Sequence, residues 1–213
     1  MTATVPHAEP LVIPGPAGAI EALLEQPQQP SGGFAVVCHP HPLHGGTMLN
    51  KVVHTLARAF QELGLATLRF NYRGVGASTG SYDNGRGETD DALAVIAHGQ
   101  ALWPGAAVSL GGFSFGAMVA LRAAPRVAPV RLISVAPAVG RPEPVPLRRP
   151  ACPWLIVQGD ADEIVDCGQV QGFAAGFEPA PRLQILPGVD HFFHGRLHEL
   201  HDAVIAFSRE ETR

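Results

Sequence analysis

The sequence predicts an α/β protein: a doubly wound, mostly parallel sheet led by an antiparallel hairpin. Three observations predict it. Short apolar runs of strand length alternate with stretches of helical spacing along the whole chain, as in a sheet covered by helices on both faces. The first two runs are joined by a Pro- and Gly-rich turn. Further on, the strand Val108-Ser109-Leu110 passes through Gly112-Phe113-Ser114-Phe115-Gly116 straight into the helical Ala117-Met118-Val119-Ala120-Leu121.

Taken in order, Leu11–Ile13, the turn Pro14–Gly18 and Ala19–Leu24 read as the hairpin. Phe34–Cys38 is a continuous apolar run, the mark of a strand buried on both faces. From Met48 to Leu63 apolar residues recur at helical spacing, and Gly64 closes the helix. Leu65–Tyr72 is the next strand, and Asp90-Asp91 open a helix over Ala92–Leu102. The helix after Ser114 runs to Ala124, before Pro125. Val130–Ala136 and Trp154–Gln158 are strands, Cys167–Phe177 a short helix, Arg182–Leu186 the final strand and Leu197–Glu210 an amphipathic closing helix. The segment Gly140–Cys152 is too short and proline-rich for a helical lid, so no lid domain is expected. No linker or repeat divides the chain, and residues 1–213 form a single domain.

A chain of 213 residues buries about 70% of the surface it exposes when unfolded, enough for a core without disulfides or metal. Charged residues make up 16%, below the usual quarter, while 24 glycines and 20 prolines punctuate the chain with loops. A net charge of −4 with no basic run argues against nucleic acid and an anionic membrane surface as partners. Cys38, Cys152 and Cys167 make neither a CxxC motif nor an even framework, which suits free thiols in a reducing, cytoplasmic setting. Met1–His7 carries no basic and apolar leader, and no run reaches the ~18 apolar residues of a membrane span. The expected partner is a small-molecule substrate, met by a monomer or homodimer without a cofactor.

Gly-x-Ser-x-Gly between a strand and a helix is the context of a nucleophile elbow, with Ser114 exposed above the sheet at a helix N-terminus. A serine hydroxyl needs a base to take its proton and a carboxylate to orient that base. Both lie downstream, each past the C-terminal end of a strand, where ligand sites of open α/β sheets gather. Gly159-Asp160-Ala161-Asp162-Glu163-Ile164-Val165 supplies carboxylates, with Asp160, Asp162, Glu163 and Asp166 in competition, and Asp190-His191 supplies an imidazole. A tetrahedral oxyanion further requires two N–H donors. Phe115, after the serine, offers one. The loop His39-Pro40-His41-Pro42-Leu43-His44-Gly45-Gly46 would offer the other, from a residue other than its prolines.

These motifs resemble the α/β-hydrolase superfamily across nearly the whole chain. In that family Gly-x-x-Asp-x-x-Val after the penultimate strand carries the acid. The resemblance therefore implies Asp162, with Asp160 second and read as a turn residue. Asp190-His191 matches the family's last motif and implies His191 as the base; His194 and His198 are read as sitting on a solvated helix start. His41 is the best match to the family's loop donor, with Leu43 second. The His39-Pro40-His41-Pro42, Asn71-Tyr72-Arg73-Gly74 and His191-Phe192-Phe193-His194-Gly195 stretches are similar to small bacterial lidless members of the dienelactone-hydrolase-like and esterase-like kind, with a serine in place of cysteine. The implied activity is cleavage of a small carboxylic ester or thioester. The alternatives are acyl transfer through the same residues and a non-catalytic binding protein on the same fold. Ten histidines invite a metal reading, but His198-Glu199-Leu200-His201 lacks the His-Glu-x-x-His spacing, so no metal is expected. Arg73-Gly74 reads as structural, Gly80, Gly85 and Gly87 as loop bends, Cys38 as core, and Phe192 and Phe193 as packing or pocket residues.

Overall fold

The computed structural model describes residues 8–140 and 146–210. The leader reading of residues 1–7 and part of the 140–152 segment lie outside the described residues. Eight strands form one sheet in the order β1-β2-β4-β3-β5-β6-β7-β8. They are β1 (Ala8–Gly15), β2 (Gly18–Glu25), β3 (Phe34–Cys38), β4 (Ala66–Phe70), β5 (Val108–Phe113), β6 (Arg131–Val135), β7 (Trp154–Gly159) and β8 (Arg182–Leu186). The leading hairpin pairs antiparallel with itself and with β4, and every later pairing is parallel.

The strand period of two divides the core. Phe34, Val36 and Cys38 of β3 face one cluster, with Leu110, Leu132, Trp154 and Ile156. Ala35 and Val37 face the other, with Phe113, Ile133, Val135, Leu155 and Val157. Helices α2 (Arg86–Leu102), α3 (Phe115–Val127) and α4 (Cys167–Ala175) cover the first face; α1 (Lys51–Glu62) and α5 (Leu197–Glu210) cover the second. Burial of both faces explains why the parallel strands read as unbroken apolar runs. The connection from β6 to β7 spans only residues 136–153, so no domain is inserted there. Among the described residues, no helix is long and apolar enough to cross a membrane.

Several boundaries differ from the sequence expectation, and three helix ends differ by three residues or more. Helix α1 starts at Lys51 rather than Met48, because the Asn50 side chain accepts the Val52 N–H at 2.9 Å and caps it there. Helix α2 starts at Arg86 rather than Ala92: the buried Glu88 carboxylate accepts the N–H groups of Asp83 and Gly85 and so builds the first turn. Gly87 therefore lies in a helix, where a Cβ would fall 2.0 Å from the Arg73 guanidinium. Helix α3 continues to Val127 with Pro125 inside it, near its end, where the missing N–H costs the helix only the bond to the Leu121 carbonyl.

Candidate active site

Ser114 sits between β5 and α3 with φ 54° and ψ −116°, a backbone conformation few L-residues adopt. Its neighbours explain how the chain tolerates it. A Cβ on Gly112 would lie 2.2 Å from the Gly116 carbonyl oxygen, and one on Gly116 would lie 2.3 Å from that of Cys38 and 2.4 Å from that of His39. The turn closes only with glycine at both places. The Ser114 N–H donates to the Val135 carbonyl at 2.8 Å, and its own carbonyl accepts from Ala117 and Ala138. Phe115, as the first residue of α3, directs an N–H that has no partner within the helix.

The four competing carboxylates separate cleanly. Asp160 accepts the Gly188 N–H at 2.6 Å, and Asp166 caps α4 through the Gln169 N–H. Glu163 touches the backbone N–H of His191 at 3.4 Å. Asp162 alone meets the imidazole: its Oδ2 lies 2.8 Å from His191 Nδ1, with both side chains buried. Asp162 Oδ1 accepts the N–H groups of Ile164 and Val165 at 2.9 and 2.7 Å. Burial pushes the Asp162 carboxyl up, but the bonds from His191, Val165 and Ile164 outweigh it and hold it below its usual range. It is a carboxylate at neutral pH, so Nδ1 of His191 carries the shared hydrogen.

The loop after β3 closes the site from the other side. His41 precedes a 3-10 turn over Pro42–His44; its Nδ1 accepts the Leu43 N–H at 3.3 Å, and its Nε2 lies 3.3 Å from the Tyr82 hydroxyl. The Leu43 N–H is thus engaged by the His41 ring. Gly46 packs onto the Pro40–His41 peptide, where a Cβ would fall 2.2 Å from the Pro40 oxygen. Side-chain bonds hold both ends of this loop. At its start, buried His39 bonds the Pro40 carbonyl through Nδ1 at 2.7 Å and accepts the Tyr72 N–H at Nε2 at 3.2 Å. Burial pushes His39 down to about 3, so the ring is a neutral strut. At the loop's end, Asn71 Oδ1 accepts the Met48 N–H at 2.9 Å while Arg69 donates to the Met48 carbonyl at 2.7 Å. Arg69 in turn pairs with buried Glu25 at 2.8 Å, and Asn71 donates to Glu21.

Ser114, Phe115, His41 and His191 all line one cavity of about 160 Å³. Val139, Ile164, Val165 and Phe192 form an apolar wall; His44 and Asn50 form a polar one. Phe192 is thus a pocket residue, whereas Phe193 is fully buried in the core. His194 pairs with Asp190 on the surface. Arg73 holds buried Asp91 through two side-chain bonds and its backbone N–H, a structural clasp on α2. Cys38 is buried, which pushes its thiol up to about 12 and leaves it a core residue. Sequence reasoning missed Gln158, the buried last-but-one residue of β7, whose amide reaches Asp162 Oδ2 at 2.9 Å. Its only signal was a lone amide in an otherwise apolar strand.

Comparison with known proteins places the fold among lidless α/β serine hydrolases. The family model for serine aminopeptidase, S33, matches residues 41–152, a span that contains His41, Ser114 and Phe115 and stops before Asp162 and His191. A crystal structure of an α/β serine hydrolase without a lid from Xanthomonas campestris is similar over 99% of this chain and 97% of its own, with 41% identity and a TM-score of 0.92. An α/β serine hydrolase homologue from Coxiella burnetii is 44% identical, with a TM-score of 0.90, over 96% of this chain and 99% of its own. An uncharacterized protein of Rickettsia prowazekii is 34% identical over 205 residues, covering 89% of this chain and 84% of its own.

Proposed function

The chain belongs to the serine aminopeptidase, S33, family of α/β-hydrolases, and from that premise we propose that it cleaves a small carboxylic ester or thioester through Ser114, His191 and Asp162. His191 Nε2 takes the Ser114 proton as Oγ attacks the substrate carbonyl. The N–H groups of Phe115 and His41 hold the resulting oxyanion. His191 then returns the proton to the leaving oxygen or sulfur, which departs and leaves an acyl-serine. Water, deprotonated by the same imidazole, attacks that ester and restores the hydroxyl. Asp162 keeps the hydrogen on Nδ1 and stabilises the imidazolium in between.

The observation that carries this reading is the buried 2.8 Å Asp162–His191 pair opening onto the cavity that Ser114 lines. The cavity's volume of about 160 Å³ is below the ~300–1,000 Å³ of drug-sized ligand sites, which favours short acyl groups. Labelling by a fluorophosphonate probe, compared between the wild type and Ser114→Ala, is the direct test. The variant should fold normally, escape labelling and lose about 10⁴–10⁶-fold in turnover. Retention of a tenth of the activity would remove Ser114 from its role. A panel of short acyl esters, thioesters and aminoacyl anilides then separates ester from peptide-like chemistry. Asp162→Asn should cost about 10⁴-fold, while Asp160→Asn, which disturbs only the bond to Gly188, should stay close to wild type. Equal losses would break the acid assignment.

A further inference from the structure

Gln158 lies one residue from the end of β7 with its side chain fully buried. Its Nε2 faces three acceptors: Asp162 Oδ2 at 2.9 Å, the Gly159 carbonyl at 3.1 Å and the Val165 carbonyl at 3.2 Å. Three oxygens around one atom fix the amide's orientation, because turning it over would bring Oε1 against a carboxylate and two carbonyls. The cost of this arrangement is visible at the other end, where Oε1 is buried with no hydrogen-bond partner among the described residues. An unmet buried acceptor is destabilising, so a residue chosen for packing alone would not be an amide here. What the amide achieves is specific. It donates to the same carboxylate oxygen that receives His191 Nδ1–H, while Ile164 and Val165 take the other oxygen. Its bond to the Val165 carbonyl also ties down the loop that carries those two N–H groups.

We propose that Gln158 is a positioning residue for the reaction: it fixes the Asp162 carboxylate toward His191 and, by sharing Oδ2, moderates how strongly that carboxylate holds the imidazolium. The proposal rests on the assignment of Asp162 and His191 made above. Removing the donor leaves more negative charge on Oδ2, so the protonated imidazole gains stability and the base becomes available only at higher pH. It also loosens the carboxylate, which lowers turnover without touching the substrate's contacts.

The test compares wild type with Gln158→Met, which keeps volume and removes the donor, and Gln158→Glu. Gln158→Met should lower kcat about 10-fold, leave KM unchanged and move the acidic limb of the pH–rate profile upward by about one unit. A Glu at this position, buried against a carboxylate, holds its own proton at low pH and can donate it to Oδ2. Gln158→Glu should therefore follow the wild type across the acidic limb, while the Glu is protonated, and fall below it as pH rises and the Glu ionises. The downfield proton resonance of His191 Nδ1–H reads the same coupling without substrate and should shift in Gln158→Met. In the wild type, the Gln158 side-chain amide resonances should move in step with the protonation of His191, a measurement that needs no variant at Gln158. Amide resonances indifferent to that protonation, or a folded Gln158→Met with an unmoved pH limb, would overturn the proposal. Failure of Ser114→Ala to abolish turnover would overturn the hydrolase reading instead, with the Gln158–Asp162–His191 coupling still measurable by resonance.

Discussion

The elbow at Ser114 and the His39–Asn50 loop face each other across one cavity, yet they are held in place by different physics. The elbow is positioned by close backbone packing: a strained serine at φ 54° is flanked by two glycines whose missing Cβ atoms make room for backbone, that of the elbow itself at Gly112 and that of Cys38 and His39 at Gly116. The loop is positioned by polar groups distant in sequence. Arg69 and Asn71, at the end of β4, grip both backbone groups of Met48, and they are braced by Glu25 and Glu21 on the hairpin strand β2. The leading hairpin, far from the chemistry in sequence, thus supports one wall of the site.

The clasp is the place to break first. Arg69→Met leaves Glu25 buried without its partner, and breaking such a pair costs about 3–5 kcal/mol. A denaturant midpoint well below that of the wild type is expected, with turnover reduced because the Met48 carbonyl loses its donor. The double variant Glu25→Leu/Arg69→Met removes the uncompensated charge and should recover much of the stability while leaving turnover low. Full recovery of both would mean that the pair stabilises the fold without positioning the loop.

Gly116→Ala probes the contact between the two regions, because its Cβ would meet the Cys38 and His39 carbonyls rather than a yielding side chain. Overpacking of this kind costs about 1–3 kcal/mol. Displacing the elbow from the loop should lower turnover by about 10²–10³-fold, as when one oxyanion donor is lost. Thermal unfolding and kcat measured on the same sample check both numbers. An alanine here with wild-type kcat would show that the elbow does not depend on its seat against β3.

The contrast also explains what the sequence made legible. The elbow could be read because the residues that permit it are consecutive: Gly112, Ser114 and Gly116 sit in five residues between a strand and a helix, whatever their more distant contacts. The alternating strands and helices were equally legible, since burial on both faces writes itself into continuous apolar runs. The loop's restraints were not, because His39, Met48, Asn71, Arg69, Glu21 and Glu25 become neighbours only when β2, β3 and β4 assemble. Likewise Glu88 starts α2 from within its own first turn, which a search for an acidic opener at Asp90-Asp91 overlooks. Gln158 escaped notice because its partner lies four residues on, in a loop whose curl the sequence does not dictate.

The effect that is most gradual, spread over several pH units and absent at neutral pH, is also the one with the clearest sign. His39 is pushed down to about 3 in the folded protein by burial, against which its bond to Pro40 acts only in part, while an exposed histidine in the unfolded chain titrates near ~6.5. Between those two values the unfolded state binds a proton that the folded state refuses. Stability therefore falls as pH drops from about 6.5 toward 3, by at most about 1.4 kcal/mol per pH unit from this residue. Above that window His39 is neutral in both states and adds no slope. His39→Asn removes the titration while keeping an amide able to donate and accept, so its unfolding free energy should fall less steeply between pH 6.5 and 4 than that of the wild type. At pH 7.5 the variant should be the less stable of the two, because the shorter side chain cannot span Pro40 and Tyr72 as the ring does. The two stability curves should thus converge on acidification. Curves that stay parallel would show that His39 is not a buried neutral strut, and the start of the loop would then have to be held by something other than the ring.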